Sequence, residues 1–118
     1  MAVTVHFEKN TLLVRTDGDF DLVGAEEFRA EADRALDVFP ARHMILDLTR
    51  LTFMDSSGLG VILGRLRKIQ ARRGTMALAG ANPSVLRVLE LSGIMPLIDI
   101  CASVDQAWAL LARKEKEV

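Results

Sequence analysis

Small polar residues are concentrated between Leu51 and Gly60, in the segment LTFMDSSGLG. An apolar run precedes this segment and a helical pattern follows it, so we expect a turn that joins a strand to a helix. At such a turn the hydroxyls of Ser56 and Ser57 lie beside backbone N–H groups that have no partner inside the helix. A helix N-terminus also carries a partial positive charge, which favours an anion. The turn could therefore hold an anion, and a phosphate attached to Ser56 would be tolerated there.

The same segment allows a purely structural interpretation. Asp55, Ser56 or Ser57 could serve only as the helix N-cap, because all three side chains can accept a hydrogen bond from the first turn. Gly58 and Gly60 could serve only to let another backbone, or a partner, approach closely. Residue type and spacing leave both interpretations open.

Two enzymatic interpretations match the segment poorly. Gly58, Gly60 and Gly64 deviate by one residue from the dinucleotide-binding fingerprint, which requires a glycine where Leu63 stands, and no acidic residue ends the next strand. A nucleophilic serine at the tip of a strand-to-helix turn needs a glycine two residues earlier, and Met54 occupies that position. A small nucleotide-binding or hydrolytic enzyme therefore remains the alternative to a protein whose function is to bind a partner.

Asp19 and Asp21 form a second polar cluster, in the segment GDFD that precedes the first helical pattern. Two carboxylates can act in acid–base chemistry, but residues at such positions also cap helices or shape turns. If the flanking strands run parallel, both polar clusters emerge at the same edge of the sheet, because loops at the carboxyl ends of parallel strands share an edge. Asp21 is expected to be exposed, so its removal should barely change the melting temperature.

The positions of these clusters follow from the hydrophobic periodicity of the whole chain, which predicts the order β-β-α-β-α-β-α-β-α and an α/β fold with a mixed sheet of about five strands and about four helices. The segment Asp17–Asp19 is expected to break the second strand. The third strand is expected to end near Leu48, and Arg65 to project away from the apolar face of the second helix. The predicted strands cover residues 3–7, 11–15, 44–48, 75–79 and 97–100, and the predicted helices cover residues 23–39, 56–69, 82–92 and the stretch after Ser103.

The composition describes an ordinary globular domain of 118 residues with a net charge of −1. We expect one domain over residues 1–118, with a core at about 3–111 and a solvated tail at 112–118. No basic stripe indicates a nucleic-acid partner, and no apolar run is long enough for membrane insertion. His6, His43 and Cys101 lack the spacing of a zinc site, and the N-terminus lacks a signal-peptide profile, so a cytoplasmic protein without a metal is expected.

The segment from Phe53 to Arg65, with the sequence FMDSSGLGVILGR, resembles the signature of the STAS-domain anti-sigma factor antagonists. The match is especially close to the sporulation type of these antagonists. The apolar strand at residues 44–48, the segment LELSG at residues 89–93 and the segment GDFD at residues 18–21 are similar to that family at the same spacing. The resemblance thus covers nearly the whole chain, and the run of Asp, two Ser, Gly, Leu and Gly is its most specific part.

The resemblance implies a regulatory binding protein and not an enzyme. Members of this family bind an anti-sigma factor that is also a serine kinase, and this binding releases a sigma factor for transcription. The kinase then phosphorylates the first serine of the pair, here Ser56, and a serine phosphatase resets the switch. ATP and magnesium would belong to the kinase, so no cofactor is expected in this chain. The resemblance implies a partner-binding surface formed by Asp21, Asp55, Ser56, Ser57, Gly58, Leu59 and Gly60.

The acidic segment Thr16–Asp19 differs from many members of the family and could alter the choice of partner. STAS domains also occur in stress-signalling scaffolds and in transport systems, and some of these lack a phosphorylated serine. A non-phosphorylated scaffold or a transport-associated module is therefore the alternative within the family, because one fold can carry different functions.

Overall fold

The computed structural model describes residues 1–116, and the chain begins with a β-hairpin. Strand β1 (Ala2–Glu8) pairs antiparallel with strand β2 (Thr11–Phe20), and Glu8 lies opposite Thr11. The two residues between the strands, Lys9 and Asn10, have φ angles of 50° and 60°. A two-residue turn with both central residues in the left-handed region matches the twist of the flanking strands. β1 and β2 contain the first two predicted strands, at residues 3–7 and 11–15, and both extend beyond them.

The remaining elements alternate between helices and parallel strands. The strand order in the sheet is β1-β2-β3-β4-β5, and every pair except β1–β2 is parallel. The predicted element order and the mixed five-stranded sheet are confirmed, and a short 3-10 helix at Met95–Leu97 adds to them. The elements after the hairpin are α1 (Leu22–Val38), β3 (His43–Met54), α2 (Ser56–Ala71), β4 (Met76–Ala79), α3 (Pro83–Ser92), β5 (Asp99–Cys101) and α4 (Val104–Lys116).

The sheet is covered by helices on both faces. Alternate residues of β3, such as Met44 and Leu46, pack with buried residues of α1, α2 and α3 in the larger core. The intervening Ile45 packs with Ala107 and Leu111 of α4 in a smaller core. Because successive strand residues point to opposite faces, β3 is buried on both sides. This burial explains why its sequence is continuously apolar where an exposed strand would alternate.

Two strands are longer than the sequence predicts. β2 continues through the expected break, where Gly18 adopts a φ of +114° and the pairing register with β3 shifts between Arg15 and Asp17 and again between Gly18 and Asp19. β3 continues past Leu48, and its last pairs with β2 are Asp19 with Phe53 and Phe20 with Met54. Pairing between distant segments therefore extends both strands to the edges where the polar clusters begin.

Three helical details also differ from the predictions. Arg65 is buried, because it packs between α2 and α1, where its Nε lies 3.2 Å from Oδ1 of Asp33. Phe39 lies just beyond α1 and stacks on Phe7, with ring centroids 5.0 Å apart. Residues 112–116 continue α4 as mostly exposed helix, and Glu115 contacts His43. The last two residues of the predicted tail lie outside the described residues.

Candidate functional site

The ends of β2 and β3 bring the two polar clusters together at one edge of the sheet. The backbone N–H of Asp55 donates to the carbonyl oxygen of Phe20 at 3.2 Å. The Thr52 hydroxyl lies 2.7 Å from Oδ1 of Asp19 and 3.0 Å from the carbonyl oxygen of Gly18. The β2–α1 junction thus lies directly beside the β3–α2 junction, as parallel pairing of the strands predicts.

An aspartate caps each of the two helices that start at this edge. Oδ1 of Asp21 accepts from the backbone N–H of Gly24 at 2.9 Å, at the start of α1. Oδ1 of Asp55 accepts from the backbone N–H of Ser57 at 2.8 Å, at the start of α2. Both side chains are partly buried. Of the three candidate caps of α2, the structure therefore selects Asp55, and Asp21 also has the capping role that the sequence left open.

Ser56 is the first residue of α2 and is exposed. Because Asp55 occupies the capping position, the Ser56 hydroxyl is not required to satisfy the N–H groups of the first turn. It lies at the positive end of the helix dipole, where a negative charge is favourable. Ser57 follows and is partly buried, so the two serines differ in accessibility although they are chemically identical.

The other residues of the predicted partner-binding segment fall on different sides of α2. Gly58 is buried against Phe20 of its own chain. Leu59 is partly buried and packs against the larger core. Gly60 is exposed, and a Cβ added there would have no neighbour within 4 Å. The close backbone approach that glycine allows is therefore intramolecular at Gly58, whereas the surface is open at Gly60.

Three large apolar side chains at this edge are exposed, and the sequence did not indicate them as site residues. Leu22 and Val23 lie in the first turn of α1 with 68% and 67% of their surface exposed, and Phe53 near the end of β3 is 49% exposed. Phe53 breaks the strand alternation, since it follows exposed Thr52. The sequence predicts a turn over these residues, and the departure from alternation becomes a signal only once they are known to form a strand.

The electrostatic character of this edge is acidic. Asp19, Asp21 and Asp55 lie at or near the ends of the two strands, and no lysine or arginine occurs at residues 16–28 or 51–64. A phosphate on Ser56 would therefore have no cationic side chain from these two segments beside it. The first-turn N–H groups of α2 would offer it hydrogen bonds.

The histidines are remote from Ser56. His43 is the first residue of β3 and Met54 is the last, so His43 lies at the end of this strand opposite the turn that carries Ser56. Its Nδ1 accepts from the backbone N–H of Thr75 at 3.0 Å, and its Nε2 contacts Glu115. His6 is exposed on β1 and pairs with Leu13, also far from the carboxyl end of β3. The residues beside Ser56 therefore offer no base that would make it a nucleophile.

Cys101 is partly buried on β5, and burial raises the pKa of its thiol, with a further increase from Asp99. A thiol with a raised pKa is a weak nucleophile at neutral pH. Within residues 1–116, no group of three or more histidine, cysteine, aspartate or glutamate side chains is placed to hold a metal ion. No helix in that range has both the length and the apolar character needed to cross a membrane.

Comparisons with known proteins identify the family of this chain. The family model of the STAS domain matches residues 2–107. The anti-sigma F factor antagonist of Paenibacillus polymyxa is 39% identical over 102 residues, which is 84% of this chain and 87% of that protein.

Two solved structures are also similar. The anti-sigma factor antagonist SpoIIAA in its unphosphorylated form superposes with a TM-score of 0.78 at 32% identity, covering 90% of this chain and 92% of that one. The Bacillus cell fate determinant SpoIIAA in the phosphorylated form superposes with a TM-score of 0.72 at 30% identity, covering 92% of this chain and 97% of that one. The resemblance inferred from the segment at residues 53–65 is thereby confirmed. The chain belongs to the STAS-domain family and is similar to the anti-sigma factor antagonists of that family.

Proposed function

We propose that this protein is an anti-sigma factor antagonist, that it binds an anti-sigma factor with serine kinase activity, and that phosphorylation of Ser56 inactivates it. The observation that carries the proposal is the exposed Ser56 at the first position of α2, beside the β2–α1 junction and free of the capping role. The family and the anti-sigma factor antagonists among its relatives support the regulatory role. A related antagonist has been solved in a phosphorylated form, which supports regulation by phosphorylation.

The partner would dock on the carboxyl edge of β2 and β3. Exposed Leu22, Val23 and Phe53 provide apolar area there, and Asp21 adds a negative charge beside them. A matching partner surface would carry apolar side chains and a cation, because interfaces combine an apolar centre with complementary charges at the rim. Ser56 lies within this area, so the same contact that frees the sigma factor presents the hydroxyl to the kinase.

Phosphorylation would weaken this contact through charge. A phosphate adds about −1.5 to −2 charges at neutral pH. No lysine or arginine of the two flanking segments is available to neutralise it, so the added charge must be desolvated against the partner. A mismatch of about 3–4 kcal/mol would weaken binding by about two to three powers of ten. A metal-dependent serine phosphatase would remove the phosphate, and both ATP and magnesium would be bound by the kinase, with the whole cycle in the cytoplasm.

Incubation with the cognate kinase and ATP tests the proposal. We expect one phosphate per chain, placed on Ser56 by peptide mapping, and we expect Ser56→Ala to take up none while still binding the kinase. Ser57→Ala is the matched control and should be phosphorylated normally. Ser56→Asp should bind weakly, although more tightly than the phosphoprotein, because it carries less charge. Phosphate on Ser57, or normal uptake by Ser56→Ala, would refute the assignment; no uptake with any host kinase would favour a non-phosphorylated STAS scaffold.

A further inference from the structure

The carbonyl of Phe20, at the end of β2, is enclosed by the first turn of α2. It accepts the backbone N–H of Asp55 at 3.2 Å. A Cβ placed on Gly58 would lie 2.9 Å from this same carbonyl oxygen and 2.9 Å from Cγ of the Phe20 ring. Any side chain at position 58 would therefore push the start of α2 away from the end of β2.

A second glycine packs against the same segment from the other side. A Cβ placed on Gly24, in the first turn of α1, would lie 2.2 Å from the carbonyl oxygen of Asp19. This neighbour is backbone, so a rotamer change cannot relieve the clash. The Asp19 side chain is held independently, because the Thr52 hydroxyl lies 2.7 Å from its Oδ1. The end of β2 is thus enclosed between the first turns of two helices.

We propose that Gly24 and Gly58 are positioning residues, which hold Asp21 and Ser56 at one fixed spacing across the partner-binding edge. Each of those two residues lies within three positions of a glycine whose backbone contacts the end of β2. The two helix starts therefore move as one body, and the interface is ordered before the partner arrives. An interface that is ordered in advance loses less conformational freedom on binding. The role of this spacing in partner binding rests on the proposed function, whereas the mechanical coupling between the starts of α1 and α2 does not.

The other glycines supply matched controls. A Cβ on Gly64, farther along α2, would have no neighbour within 4 Å, so alanine fits there without displacing anything. A Cβ on Gly74 would lie 1.6 Å from the carbonyl oxygen of Arg42, which precedes the opposite end of β3. Alanine at position 74 therefore produces a backbone clash that is more severe than those at the site, but remote from it. Comparison with this variant separates mispositioning of the site from general destabilisation.

The first measurement needs no partner and uses amide hydrogen exchange in the intact protein. We expect Gly58→Ala, in α2, to speed exchange of the hydrogen-bonded Gly24 and Ala25 amides at the start of α1 by about tenfold, which corresponds to about 1.4 kcal/mol. Gly24→Ala should likewise speed exchange of the hydrogen-bonded Ser57 and Leu59 amides at the start of α2. Gly64→Ala and Gly74→Ala should leave both first turns unchanged. If a glycine variant at the site affects only its own helix, the two helix starts are not coupled and the inference is refuted.

The second measurement is phosphorylation of Ser56 by the cognate kinase, with KM and kcat determined separately. We expect Gly58→Ala to lower kcat/KM by about 10- to 100-fold, because small displacements of a reacting group have effects of this size. Thr52→Val, at an exposed position, is the second variant in case an alanine variant does not fold, and it should raise KM by releasing the segment that holds Asp21. Wild-type protein that is not phosphorylated would refute the proposed function, and the exchange data would still decide the coupling. Wild-type kinetics in Gly58→Ala, equal to those of Gly64→Ala, would refute the positioning role.

Discussion

Asp21→Ala should lower the free energy of unfolding by about 1 kcal/mol, because it removes an N-cap. Oδ1 of Asp21 accepts the backbone N–H of Gly24 at 2.9 Å, and that N–H belongs to the first turn of α1, where no carbonyl of the helix can accept it. This expectation replaces the one from sequence, which treated Asp21 as an exposed carboxylate with little effect on stability. For a chain of this size the change corresponds to a melting temperature lower by about 4 °C.

Asp21→Asn separates the hydrogen bond from the charge. Asparagine caps helices about as well as aspartate, so this variant keeps the bond to the Gly24 N–H. It loses only the interaction of the carboxylate with the helix dipole, about 0.3–1 kcal/mol at low ionic strength. In about 1 M salt, where charges are screened within about 3 Å, Asp21→Asn should match the wild type and Asp21→Ala should not. Partner affinity should fall in both variants, because both lack the charge that we propose faces the partner.

Urea denaturation at low and high salt, with calorimetry against the cognate kinase, decides between these contributions. Asp37→Asn is a suitable control, because it removes the same charge at an exposed position near the other end of α1. That variant should be as stable as the wild type or slightly more stable, since a carboxylate near a helix C-terminus is unfavourable. Equal destabilisation by Asp21→Ala and Asp21→Asn in high salt would refute the capping bond. Unchanged partner affinity in Asp21→Asn would refute the role of its charge in docking.

Three further predictions concern the rest of the molecule. Ile62→Ala should cost about 2–5 kcal/mol in a denaturant melt, because Ile62 is fully buried in the larger core, and a change below about 1 kcal/mol would mean that this face of α2 is exposed in solution. Arg65→Met should change the free energy of unfolding by less than about 1 kcal/mol, because the Nε and Nη1 atoms of Arg65 are buried without hydrogen bonds. Asp33→Ala should cost about 3 kcal/mol, because it leaves the buried guanidinium without its countercharge, and a larger loss of stability in Arg65→Met than in Asp33→Ala would refute this account. The hydrogen bond with His43 lowers the pKa of Glu115. The ionised Glu115 side chain should therefore stabilise the fold fully above the usual pKa of glutamate, and this stabilisation should be lost as the pH falls through the lowered pKa. The melting temperatures of the wild type and Glu115→Gln should differ at neutral pH and converge in acid.

The element order was predictable because each element carries its own local pattern. The hairpin follows from the alternation of residues 3–7 and from a turn that includes Asn10, and α3 follows from Asn82 as cap and Pro83 as first residue. The ends of β2 and β3 were not predictable in this way. Residues 49–53 are rich in polar side chains, and their strand conformation depends on pairing with residues 17–19, whose own sequence indicates a break. Each segment is extended because the other is present, and that dependence is not visible locally.

The burial of Arg65 has the same origin. A charged residue on a helix is normally exposed, so its place outside the apolar face was a reasonable expectation. Asp33 of α1 supplies a countercharge at 3.2 Å from its Nε, and Lys68 of α2 lies 2.9 Å from the same carboxylate oxygen. The charge can be buried only because two helices distant in sequence meet there. No periodicity within α2 indicates that meeting.

The site itself was only partly predictable from sequence. That Asp21 and Ser56 lie at one edge follows from parallel strands, and the structure confirms that their two junctions are neighbours. Sequence reasoning could not place exposed Leu22 and Phe53 beside them, because an apolar side chain is expected in the core unless the geometry shows otherwise. Without these exposed apolar side chains, the edge would only be a place where a charge is tolerated. With them, it has the apolar area that docking of a protein would need.

The order of aspartate and serine in the turn has a physical consequence for a serine switch. If Ser56 were the N-cap, its hydroxyl would accept from the first-turn N–H groups, and any modification of that oxygen would also alter the start of the helix. Asp55 takes the capping role with a bond of 2.8 Å to the N–H of Ser57. The hydroxyl one residue later is then exposed, and a group added to it need not disturb the cap. If Ser56 is phosphorylated as we propose, the domain can thus keep the same fold with and without the phosphate, and the added charge lies on the proposed docking surface.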